Sequence, residues 1–315
     1  MSSICLMISF VIPLLNEEES IRDFYEELIK QATKLDKKYE VIFVDDGSSD
    51  SSLKILQEFA KQNRNVHIYS FRRNQGKAEA LTFGFQKAQG DYIVTLDADL
   101  QDKPSEVHKL LAKAQAGYDV ACGWRKDRQD PIHKKLSSKL FNYLTGELWR
   151  VKLHDYNCGL KVYTKDAAKS LRLYGGMHRF IPLLVSQQGF SVTEVPVVHE
   201  PRKFGKSKYG FSKIWKDLPD IFTMLFLAKY SKRPLHFFGT AGGLLILIGL
   251  IILGYLTILH FQGEAIGRRP LLLFGAVTMI AGFQIFFTGF LAELMLNIHQ
   301  KNELHFPLKY ATEEN

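Results

Sequence analysis

Short apolar runs alternate with longer amphipathic stretches over the first 122 residues, and that alternation defines the elements. Residues 8–15, 39–44, 66–71, 92–96 and 119–122 are rich in Val, Ile and aromatic side chains and read as strands. The stretches between them read as helices over about 16–35, 51–62, 76–88 and 104–115. Asn16 followed three residues on by Glu19 predicts a capping box at the first helix. In Asp45-Asp46-Gly47-Ser48-Ser49-Asp50, Gly47 permits a tight turn and Asp50 is suited to cap the next helix. Strand and helix in strict alternation predict an α/β fold, a doubly wound and mostly parallel sheet.

The apolar run 92–96 passes directly into Asp97, Asp99 and Gln101, and the run 39–44 into Asp45 and Asp46. Parallel strands end on one edge, so the two acidic clusters are expected to converge in the crevice where such sheets bind ligands. If the backbone stays extended beyond Leu96, residues two apart face the same way, and Asp97, Asp99 and Gln101 form a wall suited to a hard cation. No G-x-G-x-x-G follows the first strand and no Walker lysine loop exists, which argues against a dinucleotide dehydrogenase or a P-loop ATPase.

Hydropathy changes after residue 233. Residues 235–261 carry no formal charge and exceed the roughly 20 apolar residues that span a bilayer. Residues 270–298 form a second such run with Glu293 near its far end, and 262–269 is too short for a domain, so the pair is expected to be a transmembrane hairpin. Lys229, Lys232 and Arg233 before it, with Lys301 and Lys309 after it, place both termini on the cytoplasmic side; Arg268 and Arg269 in the loop work against that assignment. The N-terminal apolar run follows no basic leader and ends in Pro13 and Asn16 without a small-residue cleavage site, so it is expected to be a strand and not a signal peptide.

The chain of 315 residues carries a formal charge of +8 and a pI near 9.2, which calls for an anionic partner. Basic residues interleave with apolar ones over 124–150 and again over 211–230, patterns that fit helices lying against anionic headgroups, with a solvated surface helix as the plain alternative for the first. Arg202 to Gly210 is a glycine-punctuated basic loop suited to phosphate oxygens. Nucleic acid is not expected, because these basic residues precede membrane spans and lack an aromatic stacking platform. Cys5, Cys122 and Cys158 are scattered and read as reduced packing residues. His178 reads as a buried, satisfied histidine, and Glu293 as a residue of helix pairing or of an oligomer contact.

Taken in order, these features resemble a known family. Ser9-Phe10-Val11-Ile12-Pro13, Asn16-Glu17-Glu18, the Asp45-Asp46-Gly47-Ser48 turn, Arg73-Asn74-Gln75-Gly76-Lys77, Asp97-Ala98-Asp99-Leu100-Gln101-Asp102, His178-Arg179-Phe180-Ile181-Pro182 and Ser207-Lys208-Tyr209-Gly210 are similar to the membrane-anchored glycosyltransferases of family 2. Within it they resemble the polyprenyl-phosphate (dolichyl-phosphate) hexose synthases. The resemblance implies a GT-A-like catalytic domain over 1–210, an interfacial segment 211–233, the hairpin 234–299 and a cytoplasmic tail 300–315.

It also implies residue roles. Pro13, Asn16, Glu17, Asp45, Asp46, Lys77 and Asp97 would bind the donor nucleotide. Asp97, Asp99 and Gln101 would hold Mg²⁺ or Mn²⁺, with Asp99 counted among the catalytic residues. Arg125, Arg179, Arg202, Ser207 and Lys208 would meet phosphate groups of acceptor or donor, and Asp155 would orient the acceptor or act as base. The implied partners are a UDP- or GDP-linked hexose, polyprenyl phosphate, membrane lipid and further copies of the chain, tetramers being found among relatives. Rival readings are a family 2 transferase acting on a hydroxyl of a lipid-linked glycan, which the absence of Gln-x-x-Arg-Trp opposes, and a scaffold that retains only the fold.

Overall fold

The computed structural model describes residues 6–126, 151, 153–200, 233–267 and 269–300, and the chain divides into two units on either side of 220/221. The first is built on a seven-stranded sheet in the order β3-β2-β1-β4-β6-β5-β7. Its strands are β1 (Met7–Leu14), β2 (Lys38–Asp45), β3 (Val66–Ser70), β4 (Tyr92–Thr95), β5 (Val120–Arg125), β6 (Lys161–Thr164) and β7 (Val192–Val197). β1 runs parallel to β2 and β4, β2 to β3, and β5 to β7; β6 runs antiparallel to both β4 and β5.

Side chains of β1 alternate between two cores because strand residues point to opposite faces in turn. Ile8, Phe10 and Ile12 pack under α1 (Ile21–Lys34), α2 (Ser52–Gln62) and α4 (Val107–Gln115), which supply Phe24, Leu28, Leu56, Phe59 and Leu110. On the other face Val11, Ile42 and Val44 pack against α3 (Lys77–Lys87), α5 (Lys165–Ser170) and α6 (Ile181–Gln187) through Ala78, Leu81, Phe85, Ala168 and Val185. Both faces are covered, which is why these strands read as continuous apolar runs. Gly84 in α3 lets the helix close on β1: a Cβ there would stand 2.3 Å from Val11 Cγ1.

In the second unit, α7 (Pro234–Phe261) and α8 (Pro270–Gln300) pack side by side. Both are long and apolar enough to cross a membrane. Their contact is close because a Cβ on Gly242 would lie 2.6 Å from Gly282 O, and one on Gly249 2.8 Å from Met279 Cβ. Outward side chains such as Ile251 and Leu273 are 63% and 71% exposed, an arrangement that suits hydrocarbon and not water. Glu293 Oε2 accepts from Leu235 N at 3.2 Å, so this carboxylate ties α8 to the first turn of α7, in line with its reading as a pairing residue.

Three local expectations give way. The first helix starts at Ile21, after Ser20, and not at Asn16; Asn16 adopts φ 54° and its Oδ1 accepts from Ser49 N at 2.8 Å. Its side chain therefore joins two loops and makes no capping box. β4 stops at Thr95 and the acidic stretch turns, with Leu100 at φ 60°, so Asp97, Asp99 and Gln101 do not form an extended wall. β6 and β7 lie beyond the five expected strands, and β5 runs on to Arg125. The expected basic interfacial segments over 127–150 and 211–232, and the loop holding Arg202, Ser207 and Lys208, lie outside the described residues.

Candidate active site

The ends of β1, β2 and β4 are neighbours in the sheet, and the loops that follow them are bonded to one another. Asn16 N donates to Ser48 Oγ (2.9 Å), Glu17 N to Ser52 Oγ (2.9 Å) and Ser51 N to Glu18 Oε2 (2.8 Å), so the loop after Pro13 is fastened to the loop after β2. Asp50 Oδ1 accepts from Ser52 N at 2.9 Å, but the N-cap of α2 is Ser51, so Asp50 stands one residue before the cap position expected of it. Gly47, at φ 74°, lies so close to the chain after β3 that a Cβ would be 2.7 Å from Arg73 C.

Asp45 and Asp46 shape this crevice from within. Asp45 is fully buried, accepting from Ser48 N at 3.0 Å and from Ser70 Oγ at 2.6 Å. Asp46 accepts from Gln75 N (2.7 Å) and Gly76 N (2.9 Å) and so closes the N-terminal end of α3. Burial raises the Asp46 carboxyl above its ordinary range, against the pull of those two amides.

Lys77, in the first turn of α3, reaches Asp97 Oδ1 at 2.5 Å, with both side chains about a third exposed (36% and 34%). Opposite Asp97 stands Gly159, where a Cβ would lie 2.7 Å from the carboxylate carbon. The missing side chain is what gives that carboxylate its room. Asp99 is nearly buried and its Oδ1 accepts from Gln101 N at 3.1 Å.

The next acid along this edge is Asp155. Its oxygens take Arg125 Nε at 2.6 Å and Nη2 at 3.0 Å, a two-point fork between side chains only 3% and 11% exposed. Burial opposes the charge on Arg125, but the hydrogen bonds and charge of Asp155 outweigh it and hold the guanidinium more firmly protonated than usual. Asp102, also buried, is held down at about 2: burial would raise it, while His199 and the charge of Arg125 prevail. Arg179 sits half-buried at the end of a 3-10 turn, Gly175–Arg179, that packs on α3.

Beside Arg179, His178 departs from the expected satisfied histidine. Burial, then the charges of Lys77 and Arg179, push it down to about 3, and its buried Nδ1 meets no hydrogen-bond partner among the described residues. Cys122 and Cys158 are free, buried thiols, and burial pushes both upward, Cys122 to about 12, which disfavours the thiolate that a nucleophile needs. Residues to which sequence reasoning gave no role are Gly159, Asp102 and His199. The stretch that holds Asp102 was legible as acidic, but the pairing of Asp102 with a residue 97 positions away has no local signal.

Among the described residues no three His, Cys, Asp or Glu side chains converge to enclose a metal. Asp97 and Asp99 nevertheless supply hard oxygen donors, and the Asp97 side chain keeps about a third of its surface exposed (34%). That fits Mg²⁺ or Mn²⁺ of the kind that is held by one or two carboxylates and completed by substrate phosphates.

Comparison with known proteins supplies the family and the fold. Residues 9–172 match the family described as glycosyl transferase family 2. The chain is 35% identical over 304 residues to the dodecaprenyl-phosphate galacturonate synthase of Rhizobium johnstonii, covering 95% of this chain and 90% of the relative. It is 35% identical over 295 residues to the undecaprenyl-phosphate 4-deoxy-4-formamido-L-arabinose transferase of Proteus mirabilis, covering 93% and 89%. Among solved structures it resembles glucosyl-3-phosphoglycerate synthase from Mycobacterium tuberculosis in complex with Mn²⁺ and UDP-glucose (TM-score 0.53, 21% identity, 71% of this chain and 79% of that one). Mannosyl-3-phosphoglycerate synthase from Rubrobacter xylanophilus is similar in fold (TM-score 0.56, 15% identity, 70% and 73%).

Proposed function

The chain belongs to glycosyltransferase family 2 and has the GT-A fold, and from that premise we propose that it moves a hexose from a nucleoside-diphosphate sugar to polyprenyl phosphate. The observation that carries the proposal is the pairing of two anion-handling centres on one sheet edge, Lys77 with Asp97 and Arg125 with Asp155. One suits a diphosphate leaving group and the other a phosphate nucleophile. The apolar hairpin of the same chain suits an acceptor that resides in a bilayer.

In this reading the nucleotide lies along the interlocked loops of Pro13, Asn16 and Glu17 and of Asp45 and Asp46. Asp97, Asp99 and Gln101 hold Mg²⁺ or Mn²⁺, which when bound offsets the charge that grows on the departing diphosphate. Lys77 stands at Asp97 to meet the same phosphates. An oxygen of the acceptor phosphate attacks the anomeric carbon as the bond to the diphosphate oxygen breaks, and the electron pair leaves with the nucleotide. A single displacement of this kind inverts the anomeric configuration.

The acceptor needs little help from a base, since the second pKa of a phosphomonoester is near ~6 and the dianion prevails at neutral pH. Asp155, locked in a fork with Arg125, is therefore assigned to orientation: it fixes the guanidinium, whose Nη1 would meet the acceptor phosphate together with Arg179. Arg202, Ser207 and Lys208 are proposed to add phosphate contacts. The basic residues flanking the hairpin support a catalytic unit and both termini on the cytoplasmic side. An assembly of several copies, up to a tetramer, is part of the proposal.

The donor is identified by thermal protection. With Mn²⁺ present, one nucleotide sugar from a panel of UDP- and GDP-hexoses should raise the melting temperature, and Asp99→Ala should abolish the shift. Equal protection by every member, or none, would count against a donor site at this loop.

A further inference from the structure

Asp102 follows the acidic loop directly, yet it points inward: the residue is 3% exposed, too buried to join Asp97 and Asp99 as a ligand. Its Oδ1 lies 3.1 Å from His199 Nδ1, and its Oδ2 accepts from Leu160 N at 3.2 Å. The His199 side chain is 5% exposed, so the pair is buried on both sides. The backbone repeats the join. Asp102 and His199 form an isolated antiparallel bridge, Glu200 N donates to Gln101 O at 3.0 Å, and Lys103 Nζ meets Glu200 Oε1 at 2.5 Å.

Two features of the acidic loop require such support. Leu100 holds a left-handed conformation, φ 60°, which a leucine keeps only when its surroundings fix it. Gly159, the close neighbour of Asp97, precedes Leu160, whose amide Asp102 receives. One carboxylate thus ties the loop bearing Asp97, Asp99 and Gln101 to the segment packed against the Asp97 carboxylate and to the chain after β7.

We propose that Asp102 and His199 are a buried positioning pair that holds the acidic loop in the shape in which Asp97, Asp99 and Gln101 take a divalent cation with the donor diphosphate. The inference rests on the reading of that loop as the metal–diphosphate site. Neither residue touches substrate; each acts through the loop. Because the contact is made by Nδ1, asparagine is the substitute that keeps a donor in place, whereas glutamine shifts it by one bond and alanine removes it.

The test is Mn²⁺ binding, followed by the loss of the free-ion electron paramagnetic resonance signal, on the detergent-purified full chain with UDP and GDP in parallel. His199→Ala should weaken Mn²⁺–nucleotide binding by about 10–100-fold, as loss of an outer partner of metal ligands does. His199→Gln should weaken it as well, while His199→Asn should stay within about threefold of wild type. Binding by folded His199→Gln at wild-type strength would overturn the proposal, and that variant decides the matter even where His199→Ala fails to fold. A merely structural role would lower the melting temperature and leave the affinity of the folded protein unchanged. Wild-type protein that binds Mn²⁺ with neither nucleotide would instead sink the reading of the loop itself, and the pair's role with it.

Discussion

Arg125 and Asp155 meet through two hydrogen bonds of 2.6 and 3.0 Å in a setting almost closed to solvent. Removing one partner leaves the other charge buried and uncompensated, at a cost of about 3–5 kcal/mol. Asp155→Leu and Arg125→Met, each of which removes one charge of the pair and leaves the other, are expected to lower stability by that order. The double substitution Arg125→Met with Asp155→Leu should recover much of the loss. Denaturant titration of the four proteins measures the coupling, and turnover should stay low in all three variants. Stability restored together with activity would contradict a positioning role for the pair.

Gly159→Ala should act on chemistry and not on folding. The added Cβ would be 2.7 Å from both the Asp97 carboxylate carbon and its Oδ2, so the carboxylate must move. A shift of about 1 Å at such a point can lower turnover ~10²-fold. Circular dichroism should be unchanged while kcat/KM for the donor falls by that order.

Stability should fall as the pH drops below neutrality, in part through His178. Its folded pKa of about 3 lies below the ordinary value of 6.5, so between these limits the unfolded chain binds a proton that the folded one rejects. The contribution is complete above pH ~6.5 and is lost progressively as the pH falls toward ~3. His178→Gln should therefore flatten the melting temperature between pH 6.5 and pH 4.5 relative to wild type. Parallel slopes for the two proteins would contradict a buried neutral imidazole.

The hairpin depends on backbone approach at Gly242, where a Cβ would stand 2.6 Å from Gly282 O. Gly242→Leu should separate α7 from α8 and destabilise the pair by about 1–3 kcal/mol, as overpacking of a tight contact does. Thermal stability in detergent should drop, and the protein should still fractionate with membranes, because both helices remain apolar.

Where neighbouring residues create the signal, the sequence was sufficient. The apolar runs that became β1 to β5 were legible because both sheet faces are covered, and the hairpin was legible because 235–261 carries no charge. Asp97 and Asp99 were legible as an acidic cluster, but their shape was not, since Leu100 reverses the chain with no glycine to announce it. Asn16 misled because its side chain bonds to Ser49, 33 residues away, in place of its own helix. β6 escaped notice as four residues of mixed polarity, Lys161–Thr164, whose strand character comes from pairing with β4 and β5. The fork of Arg125 with Asp155 and the tie of Asp102 to His199 belong to the same class, set by tertiary contact.

The most direct test of the account is sugar transfer by the detergent-purified chain. Radiolabelled UDP- and GDP-hexoses are offered with undecaprenyl or dolichyl phosphate, with Mn²⁺ or Mg²⁺, with EDTA, and with Asp99→Ala as control. The account predicts that one donor yields a metal-dependent lipid product labile to mild acid and absent from the variant. Nucleotide release without a labelled lipid, or transfer only to a glycan hydroxyl, would contradict it.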